Sequence, residues 1–357
     1  MTMNRLPLEL VALIAGHVKN DKGSITDLLL VNQRMYQALI HMAFRHVVLS
    51  SDWAVQMFAW AVCVRPTNPG KFVQTLKIGK KLCPFEYGAW GLTGSYGERL
   101  RFALLKLPCL RELSIAGSTT AINKCLYEPR IPFKLRKLEL ACANSRALER
   151  FLTRQTGIEH LRLVCVQCYL DLNTCNYIAT DLKVLPRLDS FTGPIDWLQQ
   201  IAPKRALSEI ILDNGNYYNN PIPWNRFTGE APLRSAGLYY KAEYYKMLKP
   251  SNYYWVCFLG SLREQQQDQA ITKLVVYESL SGPIGSKLRE TIVLRLKTLQ
   301  THPGFPRLER LVIQLADDEV RCPSLVSAWL GKMKHLDNWH KHLPRLRSAA
   351  VYGVEIV

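Results

Sequence analysis

A six-residue pattern of apolar, two variable, apolar, one variable, apolar returns ten times along this chain, and no other feature limits its fold so strongly. The clearest copies read VQTLKI, LRELSI, LRKLEL, IEHLRL, LSEIIL, ITKLVV and LERLVI, with weaker ones in LDSFTG, LRSAGL and LRSAAV. They start at residues 73, 110, 135, 158, 188, 207, 233, 271, 308 and 346, at intervals of 19 to 38 residues. The alternating end of each copy has the period of a strand. Between copies lie helical patterns such as RALERFLTRQ, IDWLQQIA, LRETIVLRLKTL and LVSAWLGKMKHLDNWHKHL. A strand, turn and helix of this size leave one apolar face uncovered, so such units are stable only when stacked on neighbours. The expected fold class is α/β, an irregular solenoid built on a parallel sheet. Proline introduces several copies, in LPCL, in FPRL and in LPRL at 185 and 343, where it ends the preceding helix and commits the chain to extension.

Within each copy the third and fifth residues face away from the packed side of the sheet. Early copies carry polar groups there: Lys77, Glu112, Lys137, Glu139, His160 and Arg162. Of these, Lys77, Lys137, Glu139, His160 and Arg162 are the candidate target-binding residues. Later copies place Ile211, Val275, Val312 and Ala350 at the fifth position, where bare water is unfavourable. Residues 217–258 hold twelve aromatic rings and supply a cover for that later face, or a border to a pocket on it; ordinary core packing is the alternative for any one ring.

The first forty-odd residues have a different character. LPLELVALIAGHV places Leu6, Leu10, Leu13, Ile14 and Val18 on one helical stripe from a proline start, and Leu8, Val11 and Ala12 widen it beyond what one neighbour covers. Ser24 caps a second short helix through ITDLLLVN, and Tyr36, Leu39, Ile40, Ala43 and Phe44 mark a third. Three helices this short cannot bury their own apolar surface, so they lean on the later chain or on a partner.

In order and spacing, LPLELVALIAGHV, LLLVNQRMYQAL and FRHVVLSS resemble an F-box over about residues 4 to 49, ending in Phe44–Arg45 where many members have tryptophan. The later copies resemble the irregular leucine-rich repeats that follow F-boxes in fungal-type proteins, without the regular Asn or Cys after the strand and with longer units. The resemblance implies a three-helix F-box at 1–49 and a repeat domain for substrate recognition at 50–357. It also implies a role as substrate receptor of an SCF-type cullin-RING ubiquitin ligase, with Leu6, Pro7, Leu10, Ile14, Val31 and Asn32 at the contact with the Skp-type adaptor. The target protein would be held by the repeats.

Composition narrows the alternatives. The chain carries 46 Lys and Arg against 29 Asp and Glu, a net +17, of which +2 falls in residues 1–50 and +15 beyond. That charge attracts acidic partners or nucleic acid, but it forms no long block, and Lys and Glu mix on the early strands; nucleic acid is accordingly not the expected partner. A repeat scaffold without a ligase is the other reading. No apolar run is long enough to span a membrane, and no secretory pattern opens the chain, so a cytoplasmic or nuclear place is expected. The ten cysteines follow no disulfide framework and are expected as reduced, buried thiols. His160, Cys165, Cys168 and Cys175 have a loose zinc-like spacing but read better as packed thiols, so no metal and no cofactor are expected. No nucleophile elbow, phosphate loop or dinucleotide fingerprint occurs, and the chain is not expected to be an enzyme.

Overall fold

The structure, a computed structural model, describes residues 30–64, 68–79, 96–117, 119–127, 130–141, 146–164, 185–195, 197–198, 207–213, 224, 233–241, 253–279, 298–299, 305–315, 323–331, 335 and 337–356. It divides into two compact units that meet in sequence between Ile158 and Glu159. All ten sequence copies form strands, each beginning at the third residue of its copy.

The first unit holds α1 (Gln33–Ala43), β1 (His46–Leu49), α2 (Asp52–Val64), a 3-10 turn (Pro69–Phe72), β2 (Thr75–Ile78), α3 (Gly97–Leu104), β3 (Glu112–Ile115), α4 (Thr119–Leu126), β4 (Lys137–Ala141) and α5 (Arg146–Arg154). β1 to β4 pair in chain order and in parallel, with Thr75, Glu112 and Lys137 side by side. Successive helices from α2 to α5 pack beside one another as the strands do. The fourth and sixth positions, Leu76 and Ile78, Leu113 and Ile115, Leu138 and Leu140, are buried together with Val55, Leu100, Ile122 and Phe151 of the helices. Each such leucine contributes about 2 kcal/mol from apolar area removed from water.

The second unit holds β5 (His160–Val164), β6 (Ser190–Gly193), β7 (Glu209–Asp213), β8 (Ser235–Lys241), α6 (Tyr253–Glu264), β9 (Lys273–Ser279), β10 (Arg310–Leu315), α7 (Pro323–Leu330), α8 (Asp337–His340), β11 (Ser348–Val351) and β12 (Val354–Ile356). Strands β5 to β11 again pair parallel in chain order. The expectation of a parallel sheet needs one correction: β12 folds back antiparallel on β11. Tyr352 and Gly353 make the two-residue connection with φ of 47° and 80°, the left-handed pair that matches a twisted hairpin. The architecture inside each unit is thus α/β, mostly parallel and solenoid-like. No helix among the described residues is long and apolar enough to cross a membrane.

Two backbone devices recur. The N–H groups at the second and third positions of a copy both donate to the second-position carbonyl of the strand before, as in Arg111 and Glu112 to Gln74, and Arg347 and Ser348 to Glu309. Main chain thereby links the starts of neighbouring strands within each unit. The first apolar residue closes a turn by donating to the carbonyl three residues back, as Leu110 does to Leu107, Leu188 to Leu185, Leu308 to Phe305 and Leu346 to Leu343. The proline before it therefore sits inside a β-turn at the position its fixed φ suits, and does more than start an extended segment. At β4 the carboxamide of buried Gln155 serves instead: Leu135 N–H donates to its Oε1 at 2.8 Å and its Nε2 donates to the Phe133 carbonyl at 3.2 Å. The long helical pattern at 325–343 breaks because Gly331 takes φ of 52°, which stops α7 at Leu330.

Candidate protein-binding surfaces

On the open face of β1 to β4 two rows of side chains cross the strands. The third positions give His46, Thr75, Glu112 and Lys137; the fifth give Val48, Lys77, Ser114 and Glu139. A shallow pocket is lined by Thr75, Lys77, Glu112, Ser114, Lys137 and Glu139. Lys137 and Glu139, two residues apart on β4, pair at 2.9 Å, and His46 Nδ1 lies 3.1 Å from Thr75 Oγ1. Two lysines and two glutamates leave this pocket without net charge, suited to polar pairing with a protein surface and not to a polyanion.

Three of the expected target-binding residues, Lys77, Lys137 and Glu139, are therefore brought together in the first unit. His160 and Arg162 lie at the third and fifth positions of β5 in the second unit. Among the described residues no cluster of His, Cys, Asp and Glu could hold a metal ion, and Cys165, Cys168 and Cys175 lie outside them. The expectation of buried thiols needs correcting among the described cysteines. Only Cys125 is buried, its thiol pushed up to about 12 by burial and donating to the Gly97 carbonyl, whereas Cys63, Cys109 and Cys257 are exposed.

In the second unit the third positions align His160, Ser190, Glu209, Ser235, Lys273, Arg310 and Ser348 across seven strands. Glu209 is the hub. Its Oε1 accepts from Ser235 Oγ at 3.0 Å and from Lys273 Nζ at 2.9 Å, and its Oε2 accepts from Ser190 Oγ at 3.3 Å. One carboxylate thus ties β6, β7, β8 and β9, with the lysine reaching over β8. Burial alone would raise the Glu209 carboxyl, but the Lys273 ammonium and the two serine hydroxyls outweigh it and hold the group below its usual value. Sequence reading missed this hub; its signal was the register of the third positions, visible only once the copies are laid strand against strand.

The fifth positions on that side behave differently. Ile211 and Val275 are only 9% and 2% exposed, so the face is covered at β7 and β9, whereas Val312 on β10 and Ala350 on β11 are only part-buried. Gly237 between them leaves room: a Cβ there would stand 2.9 Å from the Val275 carbonyl and 3.0 Å from Ile211 Cγ1. Within the aromatic segment, Trp224 and Phe258 follow the core reading. Their rings meet edge to face at 5.7 Å, and the indole N–H donates to Ser261 on α6 at 2.9 Å. The tyrosines at 217, 218, 244 and 245 lie outside the described residues.

Of the expected adaptor contacts, Leu6, Pro7, Leu10 and Ile14 lie outside the described residues. Val31 is 51% exposed and its neighbour Leu30 is 80% exposed. Asn32 caps α1, its side-chain oxygen accepting from Met35 N–H at 2.8 Å, and α1 buries Met35, Leu39 and Ile40. A second apolar surface was not foreseen. Trp53, Met57, Trp60 and Val64 line one side of α2 and are exposed, Trp53 by 71%, while Val55, Phe58, Ala59 and Val62 face inward. The segment is apolar all round, so spacing alone could not say which side meets water. Both α1 and α2 pack on β1 and on the 3-10 turn. No protein-family model matches the chain, and no curated protein matches it.

Proposed function

We propose that the chain is the substrate-recognition subunit of an SCF-type cullin-RING ubiquitin ligase, of the fungal F-box kind with leucine-rich-repeat-like units. Residues 1–49 dock a Skp-type adaptor, through Leu6, Pro7, Leu10, Ile14, Val31 and Asn32. The repeat units hold a target protein, with Lys77, Lys137, Glu139, His160 and Arg162 among the groups it meets. The observation that carries the reading is the pair Leu30 and Val31, two apolar side chains standing in water beside the Asn32 cap, at the centre of the F-box-like sequence. Such a subunit acts by proximity: a tethered target reaches a high effective concentration at the ubiquitin-charged enzyme, and no residue of this chain takes part in bond making.

The test is co-purification of the full chain with a Skp-type adaptor. Leu30→Asp with Val31→Asp, and separately Leu6→Ser with Pro7→Ser, abolish capture while the circular dichroism and melting of the chain stay as in the wild type. Undiminished capture by both variants overturns the docking surface. A ligase-free scaffold is favoured by one observation, the exposed α2 stripe beyond residue 49, and that reading predicts no adaptor at all in the pull-down.

A further inference from the structure

The starts of β10 and β11 gather four arginines around one glutamate. Arg307 and Arg345 occupy the same place in two β-turns, Phe305 to Leu308 and Leu343 to Leu346, whose N–H to carbonyl bonds measure 3.2 Å and 3.1 Å. Each turn holds its proline and arginine at the tip, with the flanking Phe305, Leu308, Leu343 and Leu346 buried. Two residues later come Glu309 and Arg347 at the second positions, and Arg310 at a third position. The strand starts are locked laterally, because Arg347 and Ser348 N–H both donate to the Glu309 carbonyl at 2.8 Å and 3.1 Å. All four arginines are exposed. Arg347 lies 3.8 Å from Glu309, and the other three make no ion pair among the described residues. Arg310 sits in register beside Lys273, whose charge Glu209 already neutralises.

We propose that the strand starts of β10 and β11 form a docking site for an acidic segment of a partner protein. Arginine suits this because its planar fork meets a carboxylate with two parallel hydrogen bonds and is weakly hydrated. The two turns fix the backbone positions of Arg307 and Arg345 on neighbouring strands, so binding has only their side chains to order. Glu309 argues for protein over nucleic acid. A carboxylate in the middle of the patch repels a continuous phosphate backbone, but a peptide can offer it a lysine or a main-chain N–H. Base stacking finds little platform, since the neighbouring rings Phe305, Trp339 and Tyr352 are buried and the exposed His340 ring is tied to the Leu346 carbonyl at 2.9 Å. The site rests on the receptor reading in one respect only, that the bound segment belongs to a ligase target.

The experiment is fluorescence anisotropy of the full chain with a labelled oligo-glutamate peptide at low salt, beside a labelled single-stranded DNA of equal charge. Reversal of Arg307, Arg310 and Arg345 to Glu weakens peptide binding by roughly tenfold or more, because each contact turns from attraction to repulsion. The same charge change at exposed Arg99, Arg111 and Arg136 of the first unit leaves it within about twofold. Equal loss in both variants overturns the site, since attraction is then only to overall charge. DNA binding tighter than the peptide and lost with the same arginines overturns the choice of partner. Adaptor capture by the reversed variant is unchanged if the receptor reading holds; loss of adaptor capture in the Leu30 and Val31 variant with peptide binding intact separates that reading from this one.

Discussion

The fifth position of the repeat has opposite fates in β2 to β4 of the first unit and in β7 to β9 of the second. In the first, Lys77, Ser114 and Glu139 line an open polar row; in the second, Ile211, Gly237 and Val275 are buried at equivalent register. The backbone is the same parallel ladder in both, so the ladder does not decide which side of a sheet is dry. Composition at two of the six positions does. The first and fourth positions are buried in both units, and each unit's stability rests there, which frees the third and fifth to be an open polar surface in one place and a second layer of core in another.

The largest effect comes from exchanging those fates. Val275→Asp puts an unpaired carboxylate where only 2% of the side chain reaches water, and the expected loss is about 3–5 kcal/mol. Lys77→Asp at the same place in the first unit changes stability by less than about 0.5 kcal/mol. Denaturant titration of both variants checks this, and similar midpoints for the two would mean that the later face is not a core.

The ten strand starts and their inward residues were legible in the sequence because apolar positions one, four and six are set by burial that a single strand already needs. The turn before each strand was half legible: proline marked it, but the Gln155 version carries no such mark. The polar early face was legible in the third and fifth positions, but contacts between distant strands were not. Glu209 meets Lys273 across an intervening strand and 64 residues of chain, and nothing local to either residue signals it. The α2 stripe is hidden by a helix apolar on all sides. Tyr352 turns with positive φ, a conformation unusual for a bulky residue, so no turn signal announced β12. Hydrophobic periodicity reports what a residue wants, and the covering partner decides whether it gets it.

Two of the salt-bridged glutamates, one in each unit, sharpen the contrast at smaller scale. Glu139 pairs with Lys137 along one strand, whereas Glu209 ties four strands. Glu209→Gln is expected to cost about 1 kcal/mol after allowance for the partly exposed lysine, and Glu139→Gln at most about 0.5 kcal/mol. The pH dependence follows from the lowered Glu209 value. Its contribution is complete above the unfolded carboxyl value of about 4.3 and is lost as pH falls through the lower folded value. The gap in stability between wild type and Glu209→Gln therefore closes on acidification, and a gap constant from neutral pH down to the acid transition would mean the carboxylate is not the hub.

The smallest effect is expected where the units should not differ at all. Pro108 and Pro306 each occupy the tip of a turn that launches a strand, Leu107 to Leu110 in the first unit and Phe305 to Leu308 in the second. Replacing either with alanine leaves the closing N–H to carbonyl bond in place and raises only the freedom of the unfolded chain, at about 0.4–1 kcal/mol. Gln155 to Ile158 makes the same turn with Thr156 and Gly157 at the tip, so the bond does not require proline. Equal small losses by differential scanning calorimetry place this device in the shared backbone plan. A much larger loss at Pro306 alone would tie the turn to the arginine surface it presents, making it a property of the second unit's face and no longer of the repeat.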